Sequence, residues 1–201
     1  MAQFEPGPLT GLAGLATPLY VGLTVLVAIH LTRAGVPYNR LGFGLPFRPL
    51  LHLGLAAGAV LVIRVLGMFI DPFWDELFGG GRDLQRFASV AGSPVALFKL
   101  LFLNWTLAAL GEELAFRIVL MRGLAYALGD SRWGLGLALI VQAVVFGFVH
   151  LYQGPAGVIG SALNGLVFGS VVLLARGSIW PAAIAHGASN TIGIVALYLG
   201  H

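Results

Sequence analysis

Three ionisable side chains interrupt a long apolar run and restrict what this chain can fold into. The run extends from Val95 to Met121, and Glu112, Glu113 and Arg117 lie inside it. A charge at the centre of a membrane helix costs about 3 kcal/mol on insertion scales, so such a residue usually faces a protein interior or a water-filled cavity. The run therefore predicts a membrane helix with one polar face turned toward other helices.

The composition is that of an integral membrane protein. Of the 201 residues, 58% are hydrophobic and 9% are charged, whereas soluble domains carry about 25% charged residues. The basic residues are scattered, so the formal net charge of +3 does not indicate a nucleic-acid partner. The sequence has no cysteine, which excludes disulfides, thiolate catalysis and cysteine metal ligands.

Hydrophobic runs predict an all-α, polytopic membrane protein with about six transmembrane helices around a polar cavity. A single membrane domain is expected to cover residues 1–201. The predicted helices are Leu9 to Leu31, Leu50 to Ile70, Val95 to Met121 with Leu128 as an alternative end, Gly134 to Tyr152, Ala156 to Ala175, and Trp180 to the C-terminus.

Loop arginines predict the orientation, because cytoplasmic loops carry an excess of basic residues. One side is assigned Arg33, Arg40, Arg48, Arg122, Arg132 and Arg176, and the other side Arg82 and Arg86. Both termini are then expected outside. The first apolar run is too long for the core of a signal peptide, so it is expected to stay in the mature protein, with a prokaryotic plasma membrane as the expected location.

Helical spacing separates the roles of the two glutamates. Glu113 and Arg117 stand at i and i+4, acid before base, which favours an ion pair. Glu112 is rotated by about 100° from Glu113 in an α-helix, so the same arginine cannot face both carboxylates. Glu112 is thus a candidate general base. The alternative is that all three charges form a structural polar cluster between helices.

Two further pairs of polar or aromatic side chains recur at helical spacing. Phe146 and His150 share a face, as do His186 and Asn190. Donors such as the imidazole of His186 and the carboxamide of Asn190 can stabilise a carbonyl oxygen that gains negative charge. The structural alternatives are an interfacial position for His150 and an interhelical hydrogen bond for Asn190.

Other proteolytic schemes lack their motifs. The sequence contains neither Gly-x-Ser-x-Gly nor His-Glu-x-x-His, which argues against a serine nucleophile elbow and a standard zinc protease. Asp130 has no second membrane aspartate to form an aspartyl dyad. Glu112 remains the plausible base.

Three motifs in this order resemble those of the CAAX prenyl protease and bacteriocin-processing (CPBP, or Abi) family of intramembrane proteases. They are Glu-Glu-x-x-x-Arg at Glu112 to Arg117, Phe-x-x-x-His at Phe146 to His150, and His-x-x-x-Asn at His186 to Asn190. The likeness extends from Leu103 to the C-terminus.

The resemblance implies a site made of Glu112, His150, His186 and Asn190, supported by Glu113, Arg117 and Phe146. Glu112, aided by His150, would deprotonate a water, while His186 and Asn190 stabilise the oxyanion. A zinc ion could be held by Glu112, His150 and His186, but the version without metal or other cofactor is favoured.

The resemblance implies an endopeptidase that acts in the membrane on a membrane-anchored, lipid-modified or membrane-proximal protein or peptide. A proton-coupled transporter and a non-catalytic scaffold or immunity protein are the alternatives. One geometric problem arises, because straight helices of the predicted lengths put His150 at a different depth from Glu112. Either the helix that carries His150 begins after Gly136, or the helix that carries Glu112 continues to Leu128.

Overall fold

The computed structural model describes residues 47–200 and, ahead of them, only the helical residues Gly22, Val25, Leu26, Ile29 and Arg33. Most of the first predicted helix, Leu9 to Leu31, and of the loop that follows it lies outside the described residues. The number of six spans and the orientation of the termini therefore stay predictions.

All regular secondary structure in residues 47–200 is helical, with no strand in that range. Five long helices follow one another: α1 Pro49–Phe78, α2 Pro94–Ala127, α3 Arg132–Phe148, α4 Gly154–Leu174 and α5 Trp180–Leu199. Short 3-10 helices occupy Gln85–Val90, ahead of α2, and Leu151–Gln153, between α3 and α4.

Four of the five helices are long and apolar enough to cross a membrane, and α3 is the shorter exception at 17 residues. Many of their large apolar side chains face outward. On α1, for example, Leu50 is 92% exposed and Leu61 is 63% exposed. Such surfaces suit contact with lipid, and the chain is an integral membrane protein.

Two predicted boundaries were wrong, and for a third the predicted alternative was confirmed to within one residue. The helix α1 does not end at Ile70 but runs through Pro72 to Phe78, since membrane helices tolerate an internal proline where neighbours re-satisfy the backbone. The helix α2 continues beyond Met121 to Ala127, near the alternative end at Leu128. The helix α3 ends at Phe148 rather than at Tyr152.

The glutamate motif lies in a stretch of α2 that departs from α-helical geometry. The segments Asn104–Glu112 and Leu114–Arg122 are π-helical, and Glu113 lies between them. Hydrogen bonds in a π-helix connect residue i to i+5, and short π segments are frequent at functional sites. The rotation of about 100° between Glu112 and Glu113, which was predicted for an α-helix, therefore does not hold in this π-helical stretch.

Glycines allow the helices to approach closely. A Cβ at Gly147 of α3 would lie 2.5 Å from the carbonyl oxygen of Val158 on α4. A Cβ at Gly187 of α5 would lie 2.6 Å from the Trp105 ring on α2. Membrane helices commonly use small residues in this way, because lipid supplies no hydrophobic drive for their association.

The packing brings the motif-bearing segments together. The α3 and α4 helices pack along each other, α5 packs against the first π-helical segment of α2, and α3 packs against the second. The helix α1 covers α4 and α5. The motifs thus come from three helices that are neighbours around one interior space.

Candidate active site

A cavity of about 1200 Å³ lies among the five helices and the segment between α1 and α2. Five of the predicted site residues line it: Glu112, Phe146, His150, His186 and Asn190. The other two, Glu113 and Arg117, are fully buried. The fold therefore gathers the predicted set in one region, with two members in the protein interior rather than on the cavity wall.

The buried pair is an ion pair. Arg117 Nε lies 3.0 Å from Glu113 Oε2, and neither side chain has any solvent exposure. The sequence predicted this pair from α-helical spacing, and it is present although the local helix is of the π type.

His186 stands between the two motif carboxylates. Its Nδ1 atom lies 2.9 Å from Glu113 Oε1, within hydrogen-bonding distance, while its Nε2 atom lies 3.9 Å from Glu112 Oε2. A carboxylate only accepts hydrogen bonds, so Nδ1–H donates to Glu113. Glu113 therefore fixes the orientation of the imidazole and turns Nε2 toward Glu112, a role that its spacing to Arg117 did not reveal.

Aromatic rings enclose the buried arginine. The Arg117 guanidinium carbon lies 4.4 Å from the centre of the Phe146 ring and 5.4 Å from that of Phe168. Phe168 also stacks on the His186 ring, with a centroid distance of 4.9 Å. Cation–π contact offsets part of the cost of burying the arginine. Phe168 was not predicted, because a lone phenylalanine in an apolar helix carries no distinguishing signal.

His150 lies in the turn after α3 rather than on the helix, which corrects the predicted i, i+4 helical face. Its Nδ1 atom is 2.7 Å from the carbonyl oxygen of Phe146. Because a carbonyl only accepts, Nδ1 carries the hydrogen and Nε2 is left as the acceptor. The Phe146 ring contacts both imidazoles, with centroid distances of 4.7 Å to His150 and 5.9 Å to His186.

Both explanations of the depth mismatch concern helix bounds that the structure gives. The helix α2 continues to Ala127, one residue short of the predicted alternative end at Leu128, and α3 begins at Arg132 rather than after Gly136. These bounds agree with the second explanation, while the depths of Glu112 and His150 in the membrane stay a prediction.

Asn190 is half-buried in the cavity wall, one turn beyond His186 on α5. A second asparagine, Asn104, supports this part of α5 from α2. Its Nδ2 atom donates to the carbonyl oxygen of Gly187 at 3.0 Å and to Thr191 Oγ1 at 3.3 Å. Asn104 lies outside the three motifs, so the sequence did not identify it, although a polar residue within an apolar run is a general signal for such a role.

Arg64 of α1 contacts the helix that carries the last motif. Its Nη2 atom donates to the carbonyl oxygen of Ser189 at 2.8 Å, and the residue lines the cavity. The residue after Ser189 is Asn190, so α1 supports the wall that carries the last motif.

The donor set does not fit a metal site. Within the part of the chain that the structure describes, no group of three or more histidine, aspartate or glutamate side chains is arranged to hold a metal ion. The set of Glu112, His150 and His186 considered for zinc is therefore not assembled as one, and no step below is derived through a metal.

Comparison with known protein families gives a match over part of the chain. The family model described as "Type II CAAX prenyl endopeptidase Rce1-like" matches residues 94–192. That range begins at the first residue of α2 and includes all seven predicted site residues. No curated protein and no solved structure matches the chain.

Proposed function

Because residues 94–192 form a domain of the Rce1-like type II CAAX prenyl endopeptidase family, within the CPBP group that the motifs resemble, we propose that the chain hydrolyses a peptide bond with Glu112 as the general base. Membership of this family implies an intramembrane protease. The role of each residue and the substrate are the proposal.

One observation carries the assignment of Glu112. Its carboxylate lines the cavity and lies 3.9 Å from Nε2 of an imidazole whose other nitrogen is held by Glu113. A general base needs access to the substrate and a fixed geometry, and Glu112 has both. Glu113 has no access to the substrate and its carboxylate is already paired, since it is fully buried between Arg117 and His186.

The reaction balances without a co-reactant other than water. Glu112 accepts a proton from water as the water oxygen forms a bond to the carbonyl carbon of the scissile peptide. The carbonyl oxygen becomes an oxyanion, which the Asn190 amide stabilises by donating a hydrogen bond. The carbon–nitrogen bond then breaks, and Glu112 returns the proton to the leaving amine.

The two histidines have different tasks in this scheme. Because Nδ1–H of His150 donates to Phe146, its Nε2 atom accepts a hydrogen bond and helps to orient the attacking water. His186 can donate from Nε2 only when the ring carries both protons, since its Nδ1 hydrogen is directed to Glu113. In that state it assists Asn190 in stabilising the oxyanion, with the buried Glu113 as counterion.

The substrate is proposed to be a membrane-anchored, lipid-modified or membrane-proximal protein or peptide. A cavity of about 1200 Å³ is larger than the 300–1,000 Å³ typical of small-molecule sites. The family name points to prenylated C-terminal CAAX sequences, in which the modified cysteine is the fourth residue from the end.

The test compares wild type with Glu112→Gln, purified in detergent. Both are incubated with prenylated CAAX peptides and with a library of membrane peptides, and products are identified by mass spectrometry. Glu76→Gln is the matched control, because Glu76 is exposed and does not line the cavity. We expect Glu112→Gln to lose at least 100-fold in rate, consistent with loss of general-base catalysis, with thermal stability close to that of wild type.

Equal cleavage by wild type and Glu112→Gln would contradict the glutamate mechanism and favour a non-catalytic scaffold. The transporter alternative predicts solute flux in proteoliposomes that does not depend on peptide hydrolysis. Loss of cleavage in Glu76→Gln as well would point to a general effect of removing charge.

A further inference from the structure

Apart from the catalytic cluster, the cavity wall carries three arginines. Arg64, Arg82 and Arg86 line the same cavity as Glu112, and Asp71 is the one other carboxylate among the described lining residues. All three side chains are exposed, so a ligand in the cavity can reach those whose donors the protein does not already use. The contacts of each arginine show which donors those are.

Two of the three arginines already bind groups of the protein itself. Arg64 donates to the carbonyl oxygen of Ser189 at 2.8 Å. The Arg86 guanidinium carbon lies 4.3 Å from the centre of the Tyr152 ring, in a cation–π contact. Both side chains therefore support neighbouring elements.

Arg82 is different, because most of its donors are available. Among the described residues, the one acceptor for its five N–H groups is Gln153 Oε1, at a long 3.5 Å from Nη1. No described carboxylate forms an ion pair with it. Desolvation by the surrounding protein lowers the pKa of Arg82, and the negative charge of Asp71 opposes this shift in part.

The surroundings of Arg82 hold its side chain in place. Its guanidinium occupies the space that a Cβ at Gly160 of α4 would fill. Gln153 is oriented by a second hydrogen bond, from its Nε2 atom to the Tyr152 hydroxyl at 3.0 Å. The backbone of the same loop is anchored as well, since Asp83 N donates to the carbonyl oxygen of Gln153 at 3.0 Å.

We propose that Arg82 binds the C-terminal carboxylate of the peptide substrate and so determines that cleavage occurs near a free C-terminus. The guanidinium presents paired donors that match a carboxylate in a bidentate arrangement. This inference rests on the proposed peptidase function, which it extends to substrate recognition.

The distances are compatible with this role. Arg82 contacts Gln153, which follows His150 by three residues through a 3-10 turn. At a rise of about 2 Å per residue, the two contact points are roughly 6 Å apart along the turn, before side-chain lengths are added. If the scissile bond follows the cysteine of a CAAX sequence, three residues precede the carboxylate, and they extend over about 10 Å.

The experiment measures binding, so that it does not depend on turnover. The probe is a fluorescent S-farnesylated peptide ending in Cys-Val-Ile-Met, made with a free C-terminal carboxylate or with a C-terminal amide. Dissociation constants are measured by fluorescence anisotropy in detergent, in the Glu112→Gln background. We expect the carboxylate form to bind at least tenfold more tightly than the amide.

Variants locate the effect at Arg82. In Arg82→Gln the preference for the carboxylate should fall to within about twofold, and Arg82→Lys should retain part of it, because a lysine keeps the charge but not the paired donors. Gly160→Ala should also reduce the preference, since its methyl group displaces the guanidinium. Arg132→Gln is the control, because Arg132 is exposed and does not line the cavity.

Several outcomes would overturn the inference. They are equal binding of both peptides in the Glu112→Gln background, no binding of the carboxylate peptide, and an equal loss of affinity for both peptides in Arg82→Gln. Competition by short-chain phosphatidylglycerol without a carboxylate preference would assign Arg82 to a lipid phosphate instead. Failure of the proposed function is seen separately, as cleavage that does not depend on Glu112.

Discussion

The buried ion pair between Glu113 and Arg117 gives the most quantitative prediction. At the observed 3.0 Å separation, the attraction is roughly 5 to 6 kcal/mol for an effective dielectric constant of about 20. Substitution of Arg117 by methionine removes this attraction and also the cost of burying the guanidinium. It leaves the Glu113 carboxylate buried, with His186 as its remaining described side-chain partner.

We expect Arg117→Met to lower the free energy of unfolding by about 3–5 kcal/mol, the usual cost of breaking a buried pair from one side. For a chain of this size, that corresponds to a decrease of roughly 6–20 °C in Tm. The assay is thermal unfolding in detergent. Arg132→Met is the matched control, because Arg132 is exposed, and its Tm should stay within about 2 °C of wild type.

The double variant Glu113→Gln, Arg117→Met tests whether the loss arises from the pair. A glutamine at position 113 carries no charge, and its carbonyl oxygen can still accept a hydrogen bond from His186. We therefore expect the double variant to be more stable than Arg117→Met alone by at least 1 kcal/mol, within the usual range of coupling energies. The single variants Glu113→Gln and Arg117→Met are measured beside the double variant. The reasoning is refuted if their effects on the free energy of unfolding sum to that of the double variant within about 0.5 kcal/mol, or if Arg117→Met is as stable as wild type.

Two further predictions concern helix packing. Gly147→Ala should lower the free energy of unfolding by about 1–3 kcal/mol, because its Cβ would lie 2.5 Å from a backbone oxygen of α4. In the control Gly136→Ala, on the same helix, the new Cβ meets no atom within 4 Å, so the variant should be neutral or slightly stabilising. Equal Tm values for the two variants would contradict this prediction. Asn104→Ala should lower the free energy of unfolding by about 1–3 kcal/mol, since it removes a buried donor to Gly187. Thr106→Ala loses only a hydrogen bond to its own helix, so in the same unfolding assay it should lower the free energy of unfolding by less.

Much of the membrane architecture could be predicted from the sequence alone. Length and continuity of the apolar runs located the five helices that the structure describes, because a helix in lipid must satisfy its backbone internally and cover its surface with apolar side chains. The ends were less accurate. Pro72 did not end α1, since its position in a packed membrane helix permits continuation.

The candidate site was predicted in part. The ion pair of Glu113 with Arg117 was predicted correctly, because charges in an apolar run stand out and helical spacing relates neighbours on one helix. The roles of the seven motif residues stay a prediction, although five of them line one cavity. Phe168 and Asn104 were missed. They act through contacts with residues on other helices, and spacing along a single chain segment holds no record of such contacts.

What the sequence determined by itself is the class of protein and the chemical groups available, since both follow from local composition and from periodicity. What only the tertiary structure decided is which of those groups contact one another across the helices. Glu113 serves Arg117 and His186 at once, and Arg82 enters a cavity beside Gly160. Hydrogen bonding and charge pairing act over about 3–4 Å, so they depend on which helices are neighbours, and the packing of all the helices sets that arrangement.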